Sequence, residues 1–220
     1  MPLDVVWTQF EVELNSLSLH FRDFASKKRS LTASSDFSLL DECILEGLLS
    51  RVWQAWNRFC RKCVVESCLG TTDAAGNAIA GLPDAVSEHH VSGAAIHAKK
   101  RSTPPFWGPQ NAVLRFEPTW GDVDVLEKIL TRLSPTNSVK MLAAFSSGHA
   151  SAKALQLIRN GAAHDNHETR RDIEALRSTY LVFPILHPTH AMFWVEPSSR
   201  DFLVTHAIDE LKDAGLAAIA

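Results

Sequence analysis

The stretch Lys153–Arg171, KALQLIRNGAAHDNHETRR, has at its centre Arg159-Asn160-Gly161-Ala162-Ala163-His164. Leading into it, Met141, Phe145, Gly148, Ala152, Leu155 and Arg159 recur with spacings of four, three, four, three and four, which is one face of an α-helix. The arginine therefore falls at a core-facing position. Ser146-Ser147-Gly148 is a point at which this pattern can divide into two helices, although the register persists across it. Arginine and histidine are the pair that cuts a phosphodiester without a metal, because guanidinium forks onto phosphate oxygens while imidazole moves protons near neutral pH. On an unbroken helix, residues five apart differ in direction by about 140° and cannot share one phosphate. The expectation is that the helix breaks at Gly161, where glycine allows a left-handed turn, and that His164 swings back beside Arg159. Ala162 and Ala163 keep the approach narrow.

Helical periodicity extends outward in both directions. From Leu3 to about Ser26, Trp7, Phe10, Leu14, Leu17, Phe21 and Phe24 form one stripe, with Lys27-Lys28-Arg29 expected in the last turn, where cations complement the carbonyl end. A second helix is predicted over about Phe37 to Leu69, with Ser35 or Asp36 as its cap and Gly70 as its stop. Leu45, Leu49, Val52, Trp56, Phe59 and Cys63 make its main stripe. Leu48, Trp53, Cys60 and Val64 widen that stripe, as for a helix with neighbours on more than one side. Asp122–Leu133 and Glu168–Tyr180 also read as helices, and Thr136 or Asn137 is expected to cap the segment leading to Arg159. Pro184 and Pro188 make Leu181–Glu196 an apolar connector, followed by a last helix from about Ser199 to Leu216 capped by Ser198 or Ser199. The class implied is all-α.

Thr71–Gly121 changes character, gathering glycines and prolines, and reads as an insertion holding a small helix near Ala85–Ala98 and an extended piece at Ala112–Phe116. The organisation expected is one domain of 220 residues: residues 1–30 an N-terminal helix, 36–69 and 122–180 the bundle core, 70–121 the insertion, and 181–220 the connector and last helix. Metal readings are available but incomplete. Cys60 and Cys63 have CxxC spacing with no second pair, and His89, His90 and His97 lack a fourth ligand. The four cysteines fall in a helical pattern, as small buried apolar residues do.

Apolar residues make up 45% of the chain, enough for a packed core, and the formal net charge of −3 excludes a generally basic nucleic-acid coat. Nucleic acid would have to meet local patches: Lys27-Lys28-Arg29, Lys99-Lys100-Arg101 or Arg170-Arg171. No apolar run approaches the roughly 18 residues of a membrane helix, and MPLDVVW carries an acid where a signal peptide carries bases. The expected location is cytoplasmic, with no membrane partner.

Spacing alone is a weak signal. With 13 arginines and 10 histidines, Arg followed four to six residues later by His is expected about twice by chance, and the chain has two such pairs. The other, Arg200 and His206, lies in a continuous amphipathic pattern with Phe202, Leu203 and Val204 between, so its side chains diverge. Ile158-Arg159-Asn160-Gly161-Ala162-Ala163-His164, in contrast, resembles the signature of the HEPN superfamily, an all-helical group: Arg, a polar residue such as Asn, and His four to six residues on. Leu48–Cys63, LLSRVWQAWNRFCRKC, adds a similarity to the long second helix of bacterial members and of the RiboL-PSP branch. The resemblance covers about Asp36–Leu69 and Asp122–Tyr180, leaving out the insertion and the tail.

That resemblance implies a HEPN-like helical bundle acting as a metal-independent endoribonuclease, often a toxin or antiphage effector, without cofactor and as a homodimer with motif helices facing each other. On it, Arg159 and its mate hold the scissile phosphate, His164 transfers protons, Asn160 orients phosphate or the partner strand, and Arg170 and Arg171 track neighbouring phosphates. Cleavage by the RNA's own 2′-hydroxyl needs a base, an acid and a cation, and a two-fold dimer doubles the one histidine of each copy. An antitoxin or defence-system protein is a further expected partner. The competing readings are a catalytically silent helical interaction module, with Arg159 at the core edge and His164 as a helix cap, and a metal enzyme using His164, Asp165 and His167.

Overall fold

The aromatic and aliphatic stripes become helices in a computed structural model that describes residues 1–28, 30–32, 36–99 and 113–220. The architecture is all-α. In chain order the helices are α1 (Leu3–Ser26), α2 (Leu39–Leu69), α3 (Glu88–Lys99), α4 (Val123–Leu133), α5 (Ser138–Ser147), α6 (His149–Ala163), α7 (His167–Glu174) and α8 (Leu203–Ile219). A two-stranded antiparallel hairpin, β1 (Thr71–Thr72) and β2 (Ala78–Ile79), follows α2, pairing Thr71 with Ile79 and Thr72 with Ala78. Among the described residues no helix is long and apolar enough to cross a membrane.

The chain forms two compact units. The first comprises Met1–Glu11, Trp56–His149 and Asp213–Ala220. Its centre is aromatic: Phe10 stacks on Phe59 with ring centroids 4.4 Å apart, and Trp56 meets Phe145 edge-on at 5.7 Å. Trp56 Nε1 donates to Gly121 O at 3.0 Å, and Asn57 Oδ1 accepts from Gly121 N at 2.8 Å. A side chain at position 121 would collide with both, a β-carbon there standing 2.8 Å from Trp56 Cδ1. Arg61 forks onto Glu117 at 2.7 and 2.8 Å and reaches Glu88 at 2.6 Å, so the segment between α2 and α4 is tied back to α2 at its polar edge as well. Gly70, with φ 93°, ends α2, and Leu82 N then donates to Cys68 O at 2.8 Å.

Several sequence expectations shift here for local reasons. The hairpin was not foreseen, because two-residue strands carry no periodicity. The expected extended piece at Ala112–Phe116 is instead a 3-10 turn over Leu114–Phe116, with Ala112 outside the described residues. The helix expected near Ala85–Ala98 is α3, whose buried Ala94, Ala95 and Ala98 permit close packing against α4. Asp122 caps α4 through Val125 N. Asn137 occupies the cap position of α5 without a capping side-chain bond, since its Nδ2 donates to Ser67 Oγ at 3.1 Å.

The second unit comprises Val12–Ala55 and Ala150–Lys212. Phe21, Phe24, Phe37, Phe193 and Phe202 form its aromatic cluster, with Phe21 and Phe193 centroids 5.0 Å apart. The N-cap of α2 is Ser38 rather than Asp36, the other expected cap, Ser35, lying outside the described residues: Ser38 Oγ accepts from Asp41 N while Asp41 Oδ2 accepts from Ser38 N at 2.8 Å. The basic cluster lies just past α1 rather than in its last turn, and both described lysines are paired, Lys27 with Asp23 and Lys28 with Asp41, each at 2.5 Å. The helix expected over Glu168–Tyr180 is α7 followed by a 3-10 turn at Ala175–Ser178. The connector holds a 3-10 segment at Pro188–Phe193, and α8 begins at Leu203 rather than Ser199, since Arg200 adopts φ 61° and Asp201 Oδ1 accepts from Thr205 Oγ1 at 2.7 Å.

Candidate active site

Helix α6 buries Ala152, Ala154, Leu155, Ile158 and Gly161 along one side, leaving Arg159 and Asn160 half-buried at its border. Gly148 does divide the long pattern into α5 and α6. The break expected at Gly161 is absent. Gly161 has no positive φ, α6 runs on to Ala163, and His164 N donates to Asn160 O at 2.9 Å. The glycine answers to packing instead: a β-carbon there would stand 2.5 Å from Ile173 Cδ1 and 3.2 Å from Pro188 Cβ. His164 lies one residue past α6 with its amide still bonded in helical register, a path along which its side chain and that of Arg159 diverge by about 140°, and among the described residues no hydrogen bond joins the two.

Arg159 lines an open cleft of about 340 Å³ with Ala162 and Ala163 from α6 and Cys43, Glu46, Gly47, Leu49 and Ser50 from α2. Among the described residues no carboxylate oxygen lies within ion-pair distance of Arg159. Its Nη1 donates only to Asn160 Oδ1, at 3.5 Å. A guanidinium in this setting keeps its fork free for an anion. Gly47 leaves the opposite wall bare, since a β-carbon there would meet nothing within 4 Å.

His164 is exposed, just beyond the end of α6, and its carbonyl accepts from Thr169 Oγ1 at 3.2 Å. Asn166 and Thr169 form a capping box that starts α7. Arg170 is less available than its sequence position suggests. It forks onto Asp165 at 2.5 and 2.7 Å and donates to Leu186 O at 3.2 Å, so it braces the loop while its side chain stays half exposed. Its hydrogen bonds hold the Asp165 carboxyl below the usual range and raise the guanidinium's own pKa. Arg171 is exposed and makes no ion pair among the described residues.

The metal readings find no geometry. Among the described residues, no three His, Cys, Asp or Glu side chains gather as ligands. Cys60 and Cys63 are buried in α2, where burial pushes both thiols well above their ordinary pKa. In the Lys99-Lys100-Arg101 patch, Lys100 and Arg101 lie outside the described residues.

The structure adds residues that the sequence had left without partners. His187 caps the 3-10 segment, its Nδ1 accepting from Thr189 N at 3.3 Å, and its Nε2 stands 3.3 Å from Glu46 Oε1 on the wall of the cleft. His190 is 1% exposed, stacked on Phe37 at 4.5 Å, with Nε2 unpaired 3.8 Å from Glu42. Burial, with the neighbouring His187, lowers its pKa to about 4. No local spacing links His187 to Glu46, 141 positions earlier. Comparison of the chain with protein-family models, with curated proteins and with solved structures found no match.

Proposed function

We propose that this chain is a metal-independent endoribonuclease of the HEPN type, working in the cytoplasm as a toxin or antiphage effector. The observation that carries the reading is the half-buried Arg159, with no carboxylate in ion-pair range among the described residues, on the wall of an open cleft and five positions before the motif's His164. Arg159 binds the scissile phosphate, Asn160 steadies the guanidinium, His164 transfers protons and Arg171 meets an adjacent phosphate; Arg170 acts indirectly, by bracing the loop that carries His164. Because one copy separates Arg159 from His164, the working site is composite. A second copy supplies the missing direction. Exposed Leu40 and Ile44, which lie near the cleft residue Cys43 on α2, offer apolar surface for that second copy.

The reaction follows from these groups. The RNA's 2′-oxygen loses its proton to a base and bonds to phosphorus, and the phosphorus–5′-oxygen bond breaks. The 5′-oxygen takes a proton from an acid, leaving a 2′,3′-cyclic phosphate and a 5′-hydroxyl. The test is cleavage of total RNA in EDTA by wild type, Arg159→Ala and His164→Ala, each checked for folding and dimerisation. Cutting by wild type alone, with cyclic phosphate ends, supports the reading, and a strict metal requirement overturns it. The 140° separation along α6 and the pairing of Arg170 favour one other reading, a silent interaction module bound by an antitoxin or defence partner, in which wild type and variants are equally inert.

A further inference from the structure

The cleft pairs a cation with a carboxylate that the motif does not name. Glu46 reaches it from α2 and Arg159 from α6, with Ser50 between apolar and small neighbours. Behind Glu46 stands His187. Its Nδ1 accepts the Thr189 amide at 3.3 Å and lies 2.8 Å from Thr189 Oγ1. With Nδ1 occupied as an acceptor, the ring proton of neutral His187 sits on Nε2, 3.3 Å from Glu46 Oε1. The imidazole is 19% exposed and the carboxylate 45%, so a largely covered ring stands beside a half-exposed carboxylate on the cleft wall. A ring nitrogen at this distance is placed to orient the carboxylate.

We propose that Glu46 is the general base of this cleft and that His187 is the positioning residue that aims it, an assignment that rests on the ribonuclease reading above. The substrate is single-stranded RNA with its scissile phosphate on Arg159 and the adjoining 2′-hydroxyl toward Glu46. Glu46 takes the 2′-hydroxyl proton as that oxygen bonds to phosphorus. The phosphorus–5′-oxygen bond breaks with its electron pair on the 5′-oxygen, which takes a proton from the imidazolium of His164 on a second copy. The proton count closes with Glu46 protonated and His164 neutral. One histidine then has one task per cleft.

The test uses the full chain and two readouts: cleavage of total RNA in EDTA across pH, and binding of a 2′-O-methyl RNA oligonucleotide that lacks the nucleophile. Glu46→Gln is expected to bind the oligonucleotide at least as tightly as wild type, since it removes a negative charge beside the phosphate. It should cut on the order of 100-fold more slowly or worse and lose the acid limb of the kcat/KM profile. His187→Phe should lower kcat with KM little changed, and His187→Gln, whose amide can donate to Glu46, should recover most of the rate. Arg159→Ala should lose binding. Wild-type cutting by Glu46→Gln, an acid limb unchanged in that variant, or equal losses in His187→Phe and His187→Gln that track thermal stability overturn the assignment. If the wild type never cuts, the ribonuclease reading fails and the proton-transfer role falls with it. Binding that Arg159→Ala abolishes and Glu46→Gln strengthens would then still mark the cleft as a phosphate site.

Discussion

His164 gives its amide hydrogen to the carbonyl of Asn160 at 2.9 Å, so the helix that presents Arg159 is still wound when it reaches the histidine. In the composite site proposed above, the two motif residues meet across copies. Mixing Arg159→Ala and His164→Ala subunits, each inert alone, should restore cutting to about a quarter of wild type, the share of intact composite sites in a random mixture of two-fold dimers. Gel analysis of RNA fragments after subunit exchange measures this. No recovery would show that each site needs both residues from both copies.

Trp56 and Gly121 fasten the start of α4 to α2. Trp56 is fully buried and spends its one polar atom on Gly121 O at 3.0 Å. Trp56→Phe keeps much of the ring packing but strands that carbonyl, at a cost of about 1–3 kcal/mol. Gly121→Ala should cost about as much, by overpacking Trp56 and Asn57. Urea denaturation should show lower midpoints with unchanged slopes.

His190 makes the fold sensitive to acid. Its folded pKa is about 4 against an ordinary 6.5, so between those values the unfolded chain binds a proton that the folded one refuses. The stability is therefore fully present above about pH 6.5 and is lost as pH falls toward 4, by on the order of 2–3 kcal/mol. Glu42, 3.8 Å away, opposes this shift but does not reach the ring with a hydrogen bond. His190→Phe should flatten the slope of stability between pH 7 and 4.5, as followed by guanidinium melts.

Arg61 and Glu117 form a pair with side chains only 21% and 15% exposed. Burial works against the ionised Glu117, and Arg61 together with Ser92 and Trp120 still hold its pKa down. Arg61→Leu should cost about 3–5 kcal/mol because it leaves a buried carboxylate unpaired. Replacing both by Leu should cost less than the single change. A thermodynamic cycle on the three variants checks this.

The long helices were readable because their burial repeats every three or four residues: Leu45, Leu49, Val52, Trp56, Phe59 and Cys63 are all in the core, as the spacing of α2 predicts. The stop of α2 was readable because Gly70 stands directly after the stripe, whereas its cap was misplaced where several polar residues competed, as Ser38 did with Ser35 and Asp36. The candidate site was half legible. Arg159 announced itself by position in the register, whereas Glu46 and His187 meet only through tertiary packing. The glycine was misread because its neighbours, Ile173 and Pro188, are distant in sequence.

Gly161 shares a hexapeptide with the chemistry but is constrained by something else. Ile173 Cδ1 occupies the space that its side chain would need. In a library in which every position varies, tolerance at 161 should follow the size of residue 173, with alanine admitted beside valine and refused beside isoleucine. Positions 159 and 164 should admit no such trade. Six adjacent letters thus record two separate histories, one of fit and one of reactivity.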